Sequence, residues 1–157
     1  VMLVQGQYIA RFWSKVDKSA GPDGCWPWTA YCGEKNYGQF WNGTRLLRAH
    51  RAAYELGYGE EIGSLQVDHT CFYHPCCNPA HLRKATDKQN KENRQGAQRN
   101  NYSTGVRGVS RVRSGKFSAQ LKHNNKKIHV GTFLSVEEAE KAVKAKRLEL
   151  FTHTQES

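Results

Sequence analysis

The first half of the chain alternates apolar and polar residues in two short runs. Residues 37–41 and 44–47 have this strand pattern, and Asn42-Gly43 between them is a strong signal for a hairpin turn. Residues 49–56 have the spacing of a short helix, with Gly57 placed to end it. The pattern therefore predicts a hairpin followed directly by a helix.

Two more elements are predicted between residues 65 and 95. Residues 65–69 are interpreted as a strand that delivers polar side chains to its end. A capping box, with Thr86 at the N-cap and Gln89 three positions later, begins a helix. This helix carries Asn90 in its first turn and is expected to end at Arg94 or Gln95.

The C-terminal third has the pattern of a small sheet covered by one helix. Three strand-like runs are separated by turn residues and cover residues 105–113, 116–123 and 126–133. Ser135 and Glu138 form a second capping box, which begins a helix that ends near Leu150. Small alanines on the apolar face of this helix would let it lie close to the sheet. The open face of the sheet is expected to carry alternating Arg and Lys.

These elements predict an α+β protein with two domains. We place the first domain at residues 1–95 and the second at residues 104–157, with a polar linker at residues 96–103. The linker is expected to lie along a nucleic-acid backbone. No run approaches the roughly 18–20 apolar residues of a membrane span, and residues 1–10 lack the basic and apolar regions of a signal peptide. We therefore expect a cytoplasmic protein with no membrane partner.

The formal net charge of +10 is concentrated in the middle of the chain. Thirteen Lys and Arg residues lie between Arg83 and Lys127, where only Asp87 and Glu92 oppose them. Such a basic stretch is typical of contact with a phosphate backbone. The alternative is a solvated surface whose charge keeps the chain soluble.

Cysteine and histidine spacing predicts a metal site. Three of the five cysteines lie within residues 71–77, and without a secretory signal a metal site is favoured over disulfides. Cys71, Cys76 and His81 are spaced like ligands of one ion, and a tetrahedral zinc site needs a fourth. From the residues alone, buried free thiols remain the alternative to a metal. The candidates for the fourth ligand are Cys25, Cys32, His74 and Cys77.

A catalytic site is predicted beside this cysteine-rich loop. Asp68 and His69 directly precede the loop, and Asn90 follows it. A histidine next to an aspartate, with a distant asparagine, is typical of a catalytic base beside a hard-metal site. The predicted strand and helix should place His69 and Asn90 on facing elements, so that a base and a metal ligand converge on one phosphate.

Polar residues around this site have expected supporting roles. Asn78 should brace the loop through hydrogen bonds to the backbone, and His50 should be a hydrogen-bonded structural residue at a helix start. A phosphate clamp is expected from one of three arginines, and the sequence leaves the choice open. These are Arg45, Arg48 and Arg51.

The segment from Asp68 to Asn90 resembles the His-Cys box branch of the HNH (ββα-metal) endonucleases. Upstream segments that resemble phage-type HNH proteins extend the similarity over most of residues 10–95; they include Arg11-Phe12-Trp13, Cys25-Trp26-Pro27-Trp28, Tyr37-Gly38-Gln39-Phe40 and Ala49-His50-Arg51. The resemblance implies a structural Zn²⁺ bound by Cys25, Cys71, Cys76 and His81. It also implies that His69 is the general base and that Asn90 is a ligand of a catalytic Mg²⁺. Asp68 is expected to be a second Mg²⁺ ligand, as in intron-encoded HNH nucleases.

The C-terminal region resembles the APETALA-type DNA-binding domain. The resemblance rests on Gly105-Val106-Arg107-Gly108-Val109-Ser110, on the run from Gly115 to Leu121, on the run from His129 to Phe133 and on the helix rich in Glu and Ala. In that family a three-stranded sheet enters the major groove and the helix supports its back. The side chains implied to contact DNA are Arg107, Arg111, Arg113, Lys116, Lys122 and Lys127. An RNA-binding or protein-docking sheet is the alternative.

The sequence thus predicts a zinc-stapled ββα-metal nuclease fold followed by a small three-stranded antiparallel sheet packed on one helix. The expected function is that of a site-directed, Mg²⁺-dependent DNA endonuclease of the homing or phage-encoded kind, with double-stranded DNA as partner. The alternatives are a catalytically silent DNA-binding regulator and an RNA-directed nuclease. Whether the chain forms a homodimer is left open.

Overall fold

The structure is a computed structural model that describes residues 2–94 and 101–151. The chain divides into two compact units, Val1–Asp87 and Lys88–Ser157. Each unit has its own hydrophobic core. The division places the helix around Asn90 in the second unit, whereas the sequence analysis places the end of the first domain at residue 95. Most of the predicted linker, residues 96–100, lies outside the described residues.

The described residues form an α+β structure with small antiparallel sheets, as predicted. The first unit contains α1 (Gly6–Trp13), β1 (Gln39–Trp41), β2 (Leu46–Arg48), α2 (Ala49–Tyr58), β3 (Gln66–His69) and β4 (Leu82–Ala85). β1 pairs with β2, and β3 pairs with β4. In the described part of the chain, no helix is long and apolar enough to cross a membrane.

The predicted hairpin is present at β1 and β2. Phe40 pairs with Leu47 across the two strands, and both side chains are buried. The turn is closed by the side-chain oxygen of Asn42, which accepts a hydrogen bond from the backbone amide of Arg45 at 2.8 Å. Gly43 has a φ of 96°, a conformation that side chains disfavour. The Asn-Gly pair therefore closes the hairpin for the reason that the sequence indicated.

Helix α2 begins where predicted but does not end at Gly57. It ends at Tyr58 and is capped by Gly59, which adopts the left-handed conformation with a φ of 66° and donates its amide to the carbonyl of Glu55. Gly57 lies inside the helix, where a Cβ atom would come within 2.3 Å of the Pro79 ring. A glycine is needed at position 57 because the helix passes close to Pro79.

Helix α1 is absent from the sequence prediction. Its N-cap residue, Gln5, makes no side-chain capping hydrogen bond, so the helix lacks the usual start signal. The helix is fixed by tertiary packing instead. The ring of Phe12 lies 5.3 Å from that of Trp28 and 5.2 Å from that of Phe40, and these three buried aromatic residues form the centre of the first core.

The second unit is a three-stranded sheet with helices. It contains α3 (Asp87–Glu92), whose first residue belongs to the first unit, and β5 (Val109–Arg111), β6 (Phe117–His123), β7 (Lys126–Phe133) and α4 (Val136–Leu150). The sheet order is β5-β6-β7, and both pairings are antiparallel. The Ser135 hydroxyl accepts a hydrogen bond from the amide of Glu138, which confirms the predicted cap. Ala139 and Val143 on α4 pack against the sheet.

Two elements of the second unit are shorter than predicted. β5 begins at Val109 and not at residue 105, because Gly105 and Gly108 adopt positive φ angles of 67° and 81° and bend the chain before it. Helix α3 ends at Glu92, before the predicted Arg94 or Gln95. The predicted three-stranded sheet packed on one helix is otherwise confirmed.

We predict that Gly57→Ala destabilises the first unit. An added Cβ would overlap the Pro79 ring, and this overpacking should lower the free energy of unfolding by about 1–3 kcal/mol. This loss should exceed the stabilisation that alanine gives through its higher helix propensity. Denaturant unfolding followed by tryptophan fluorescence measures this, because all four tryptophans lie in the first unit. Gly6→Ala is the matched control, since a Cβ at Gly6 meets open space. Equal or greater stability of Gly57→Ala would contradict the close approach to Pro79.

Candidate functional site

Four side chains from distant parts of the first unit converge on one point. The ligand atoms of Cys25, Cys71, Cys76 and His81 all lie within 4.8 Å of one another. The sulfur atoms of Cys25 and Cys76 lie 3.5 Å and 3.6 Å from Nδ1 of His81. Three thiols and one imidazole in this arrangement can hold a metal ion such as zinc. We call these four residues the Cys3His cluster.

Backbone pairing brings Cys25 to the loop that holds the other three ligands. Pro27 forms an antiparallel bridge with Cys76. On either side of it, the amide of Trp28 donates to the carbonyl of Pro75 at 2.9 Å, and the amide of Cys77 donates to the carbonyl of Trp26 at 2.8 Å. The spacing within residues 71–81 indicated the local ligands, but only this long-range pairing positions Cys25.

Asn78 braces the contact between residues 22–28 and the loop at residues 71–81, as predicted. Its side-chain nitrogen donates to the carbonyls of Pro22 and Gly24 at 2.8 Å and 2.7 Å, and its side-chain oxygen accepts from the amide of Ala80 at 3.0 Å. The side chain is fully buried. Asn78 thus ties the segment before Cys25 to the loop through two hydrogen bonds and fixes the loop itself through the third.

Hydrogen bonds also orient the ligands themselves. Nε2 of His81 donates to the carbonyl of Asp23 at 3.0 Å, which leaves the lone pair of the neutral ring on Nδ1, facing the thiols. The thiol of Cys71 and then the backbone amide of Asn78 lower the pKa of Cys76 to about 4. The lowered pKa favours the thiolate of Cys76, which is the form that binds a metal.

The other candidates for the fourth ligand point elsewhere. The Cys77 thiol is buried and lies 3.7 Å from the carbonyl of Pro75, and its burial raises its pKa. The Cys32 thiol lies 3.8 Å from the carbonyl of Ala30, and Nδ1 of His74 lies 2.8 Å from the carbonyl of Lys35. Geometry therefore selects Cys25 from the alternatives that the sequence left open.

His69 lies at the end of β3 and is buried. Its Nε2 atom lies 3.1 Å from the carbonyl oxygen of Cys76. Because a carbonyl only accepts, Nε2 donates, and the lone pair of the neutral ring is on Nδ1. Burial lowers the pKa of His69 below its ordinary value, so the ring is neutral at neutral pH. A neutral, oriented imidazole is the form that a general base requires.

Three more rings surround His69, a feature that the sequence analysis missed. Their centroids lie 4.8 Å (His50), 6.1 Å (Tyr37) and 6.0 Å (His74) from that of His69. Tyr37 stacks on His74 with a centroid distance of 4.3 Å and an interplanar angle of 11°. Tyr37 and His50 come from segments far from the one that holds His69 and His74, so local spacing could not have revealed the whole group.

The expectation that His50 is hydrogen-bonded is wrong. His50 is buried, and its Nδ1 atom has no hydrogen-bond partner among the described residues. Burial, reinforced by the neighbouring His69, holds the pKa of His50 well below its usual range. His50 therefore stays neutral beside His69.

The two predicted Mg²⁺ ligands lie in different units. Asp68 pairs across β3 and β4 with Arg83, whose Nη2 and Nε atoms lie 3.1 Å and 3.3 Å from Oδ2 of the carboxylate. Asn90 is exposed on α3 of the second unit. Convergence of Asn90 with His69 and Asp68 stays a prediction.

The three candidate phosphate-clamp arginines have different surroundings. Arg51 is half-buried and donates to the carbonyl of Leu65 at 3.0 Å, so it supports the fold. Arg45 lies in the exposed hairpin turn. The guanidinium of Arg48 lies over the Tyr37 ring at 4.6 Å and makes no hydrogen bond or ion pair with any other described residue. Of the three arginines, Arg48 is therefore the one that lies beside the rings around His69.

The predicted DNA-contacting residues do not share one sheet face. Lys122 and Lys127 pair across β6 and β7 on the face opposite α4. Arg111 pairs with Phe117, whose ring packs into the core beneath α4, so Arg111 lies on the other face. The expected alternation of Arg and Lys on one face is therefore wrong. Arg113 and Lys116 are exposed at the turn between β5 and β6.

Arg107 has a structural role within the second unit. Its guanidinium donates to the backbone carbonyls of Glu92 and Arg94. It also lines a groove of about 1220 Å³, whose other basic residues include Lys88, Lys91 and Lys122. The lysines of α3, which the sequence analysis did not select, thus belong to the basic surface of this unit.

Two curated proteins of Escherichia phage T7 are similar to part of this chain. Protein 7.7 is 37% identical over 68 residues, which are 43% of this chain and 52% of that protein. Protein 2.8 is 36% identical over 69 residues, which are 43% of this chain and 46% of that protein. The chain thus spans about half the length of the curated relatives it matches. No family model matches the chain, and no solved structure matches it.

We predict that the protein retains one tightly bound zinc ion per chain and that Cys76→Ser loses it, because the variant removes one of the four candidate ligands. Native mass spectrometry and elemental analysis measure the metal content. Cys32→Ser is the matched control and should keep the ion, since Cys32 lies outside the cluster. A wild-type protein that is folded but metal-free would contradict the assignment.

Proposed function

We propose that this protein is a Mg²⁺-dependent DNA endonuclease of the HNH type that uses His69 as its general base. The observation that supports the proposal most is the setting of His69. It is buried, its Nε2 atom donates to the carbonyl of Cys76 at 3.1 Å, and burial lowers its pKa, which favours the neutral ring that a base requires. A strand that ends in such a histidine, next to a Cys3His cluster, fits a zinc-stapled ββα-metal nuclease fold.

In the proposed reaction, Nδ1 of His69 takes a proton from a water molecule as that water attacks phosphorus in line with the departing 3′ oxygen. The departing 3′ oxygen takes a proton from solvent water, so the products are a 3′ hydroxyl and a 5′ phosphate. Asp68 would contribute a carboxylate oxygen to Mg²⁺, a donor that suits this hard cation, and the role of Asn90 as a ligand rests on the family resemblance alone. When bound, the ion would supply stabilisation of the charge on the phosphoryl group and on the leaving oxygen.

Arg48 is the proposed clamp for the scissile phosphate. Its exposed guanidinium lies over Tyr37, whose ring is 6.1 Å from that of His69. The planar fork of an arginine binds two phosphate oxygens at once. Contact with Tyr37 restricts the side chain before the substrate arrives, so less conformational entropy is lost on binding.

The proposed substrate is double-stranded DNA, held by the second unit. The groove between α3 and the sheet of that unit is lined by several cations, and Lys122 and Lys127 add charge on the open face of the sheet. An APETALA-type DNA-binding domain is the proposed identity of this unit. The similarity to two phage T7 proteins supports a phage-encoded or homing-type enzyme that acts inside the host cell.

A catalytically silent DNA-binding regulator is the second candidate. The observation that favours it is the ion pair between Asp68 and Arg83, because a guanidinium on Oδ2 competes with a metal ion for the carboxylate. The two candidates differ in one observable, which is metal-dependent cutting of DNA that the protein binds.

We predict that the protein cuts DNA in the presence of Mg²⁺ and that His69→Ala lowers the cutting rate by about 10²–10⁴-fold, the usual contribution of a general base. Sequencing the ends of a complex DNA library after incubation measures both site and rate. Tyr31→Ser, at a residue that is 72% exposed and lies outside the proposed site, should cut normally. Binding without any Mg²⁺-dependent ends would support the regulator and contradict the nuclease.

We predict that Arg48→Ala slows single-turnover cleavage at saturating DNA by at least about tenfold, and that Arg48→Lys restores little of the rate, because an ammonium cannot reproduce the two-point contact. Arg45→Ala is the matched control, since its side chain is exposed in the hairpin turn. Equal rates for the two alanine variants would contradict the assignment of Arg48.

A further inference from the structure

We infer that Trp41 and Leu46 form an apolar platform that packs against the sugar and base of a nucleotide next to the scissile phosphate. The inference rests on the proposed function, because the phosphate is the one that Arg48 is proposed to hold. We call this pair of side chains the hairpin platform.

The register of the β1–β2 hairpin places the two apolar side chains together. Trp41 pairs directly with Leu46, so both side chains project from the same face at neighbouring positions. Their exposed fractions are 52% and 57%, which is high for such large apolar residues. Phe40 and Leu47, the next residues along each strand, point the other way and are buried. The hairpin therefore anchors one face in the core and presents the other outward.

Arg48 extends the same outward face toward His69. Leu46 and Arg48 are two residues apart on β2, so their side chains leave the strand on the same side, about 7 Å apart. Arg48 reaches the Tyr37 ring beside His69. A phosphate bound at Arg48 would therefore have its own sugar and the adjoining nucleotide within reach of the platform.

The charges around the platform favour a nucleotide over a hydrophobic protein partner. Residues 39–48 contain Arg45 and Arg48 and no acidic residue. The guanidinium of Arg11 also comes to the hairpin and donates to the carbonyl of Trp41. An apolar surface edged by cations complements a molecule with flat apolar bases and an anionic backbone.

The platform is presented on a fixed support. Asn42 closes the turn through the amides of Thr44 and Arg45, and its side-chain nitrogen donates to the carbonyl of Leu3 at 2.9 Å. A platform of this kind loses little entropy when a ligand docks. The backbone that carries the exposed apolar pair is thus anchored on both sides of the turn.

The test separates apolar contact from charge by the salt dependence of binding. Affinity for a short duplex that spans the mapped cut site is measured without added Mg²⁺ over a range of salt concentrations. The double variant Trp41→Ser with Leu46→Ser should bind about tenfold more weakly at every salt concentration, with an unchanged slope of log affinity against log salt. Arg48→Ala should instead reduce the slope by about one. Tyr31→Ser is the control, since Tyr31 is 72% exposed and lies outside the hairpin.

Unchanged affinity of the double variant, or a loss that appears only as a reduced slope, would overturn the inference. A second copy of the chain could also occupy this surface, and sedimentation of the free protein tests for it. A wild-type protein that is dimeric, with a monomeric double variant, would assign the pair to contact between copies and would also overturn the inference. If the library shows no cut, the same titration uses a random-sequence duplex. A salt-independent loss there would keep the platform as a DNA contact while the nuclease proposal fails.

Discussion

The junction between residues 22–28 and the loop at residues 71–81 is the constraint on which the first unit depends. Its two sides are far apart in sequence, yet they share a backbone bridge, two hydrogen bonds from the Asn78 side chain and the four side chains of the Cys3His cluster. Three sulfur atoms this close repel one another when ionised unless a cation lies between them. A bound metal would therefore hold the junction closed. The core of such a small unit buries too little apolar surface to do so alone.

The same junction positions the proposed base. The carbonyl that receives the Nε2 hydrogen of His69 belongs to Cys76, a residue of the Cys3His cluster. β4, which follows His81 directly, pairs with β3 and fixes the strand on which His69 stands. The Cys3His cluster and the proposed base are thus coupled through a few bonds, so a disturbance of one should be detectable at the other.

The sequence predicted features that depend on local chemistry. The Asn-Gly turn, the Ser135 cap and the close spacing of Cys71, Cys76 and His81 each need only neighbouring residues, and the structure contains all of them. Cys25 was selected as the fourth ligand through the family resemblance, because nothing in its own sequence neighbourhood marks it as a ligand.

What the sequence missed depends on long-range contacts. Helix α1 has no cap signal and is held by Phe12 in the core, and Gly57 is set by the nearby Pro79 ring instead of by a helix end. The surroundings of His50 and the face of the sheet on which Arg111 lies are decided by pairing with distant segments. Single-sequence patterns do not encode such contacts, which is why the ring group around His69 emerged only from the fold.

The most direct test of this account is the tautomer of His69, read from the nitrogen chemical shifts of the histidine side chains by NMR at neutral pH. The account predicts a neutral ring with its hydrogen on Nε2 in the zinc-loaded protein, and loss of that preference when Cys71→Ser opens the junction. A ring that carries its hydrogen on Nδ1, or one that is unaffected by the substitution, would contradict the claim that the metal loop orients the base.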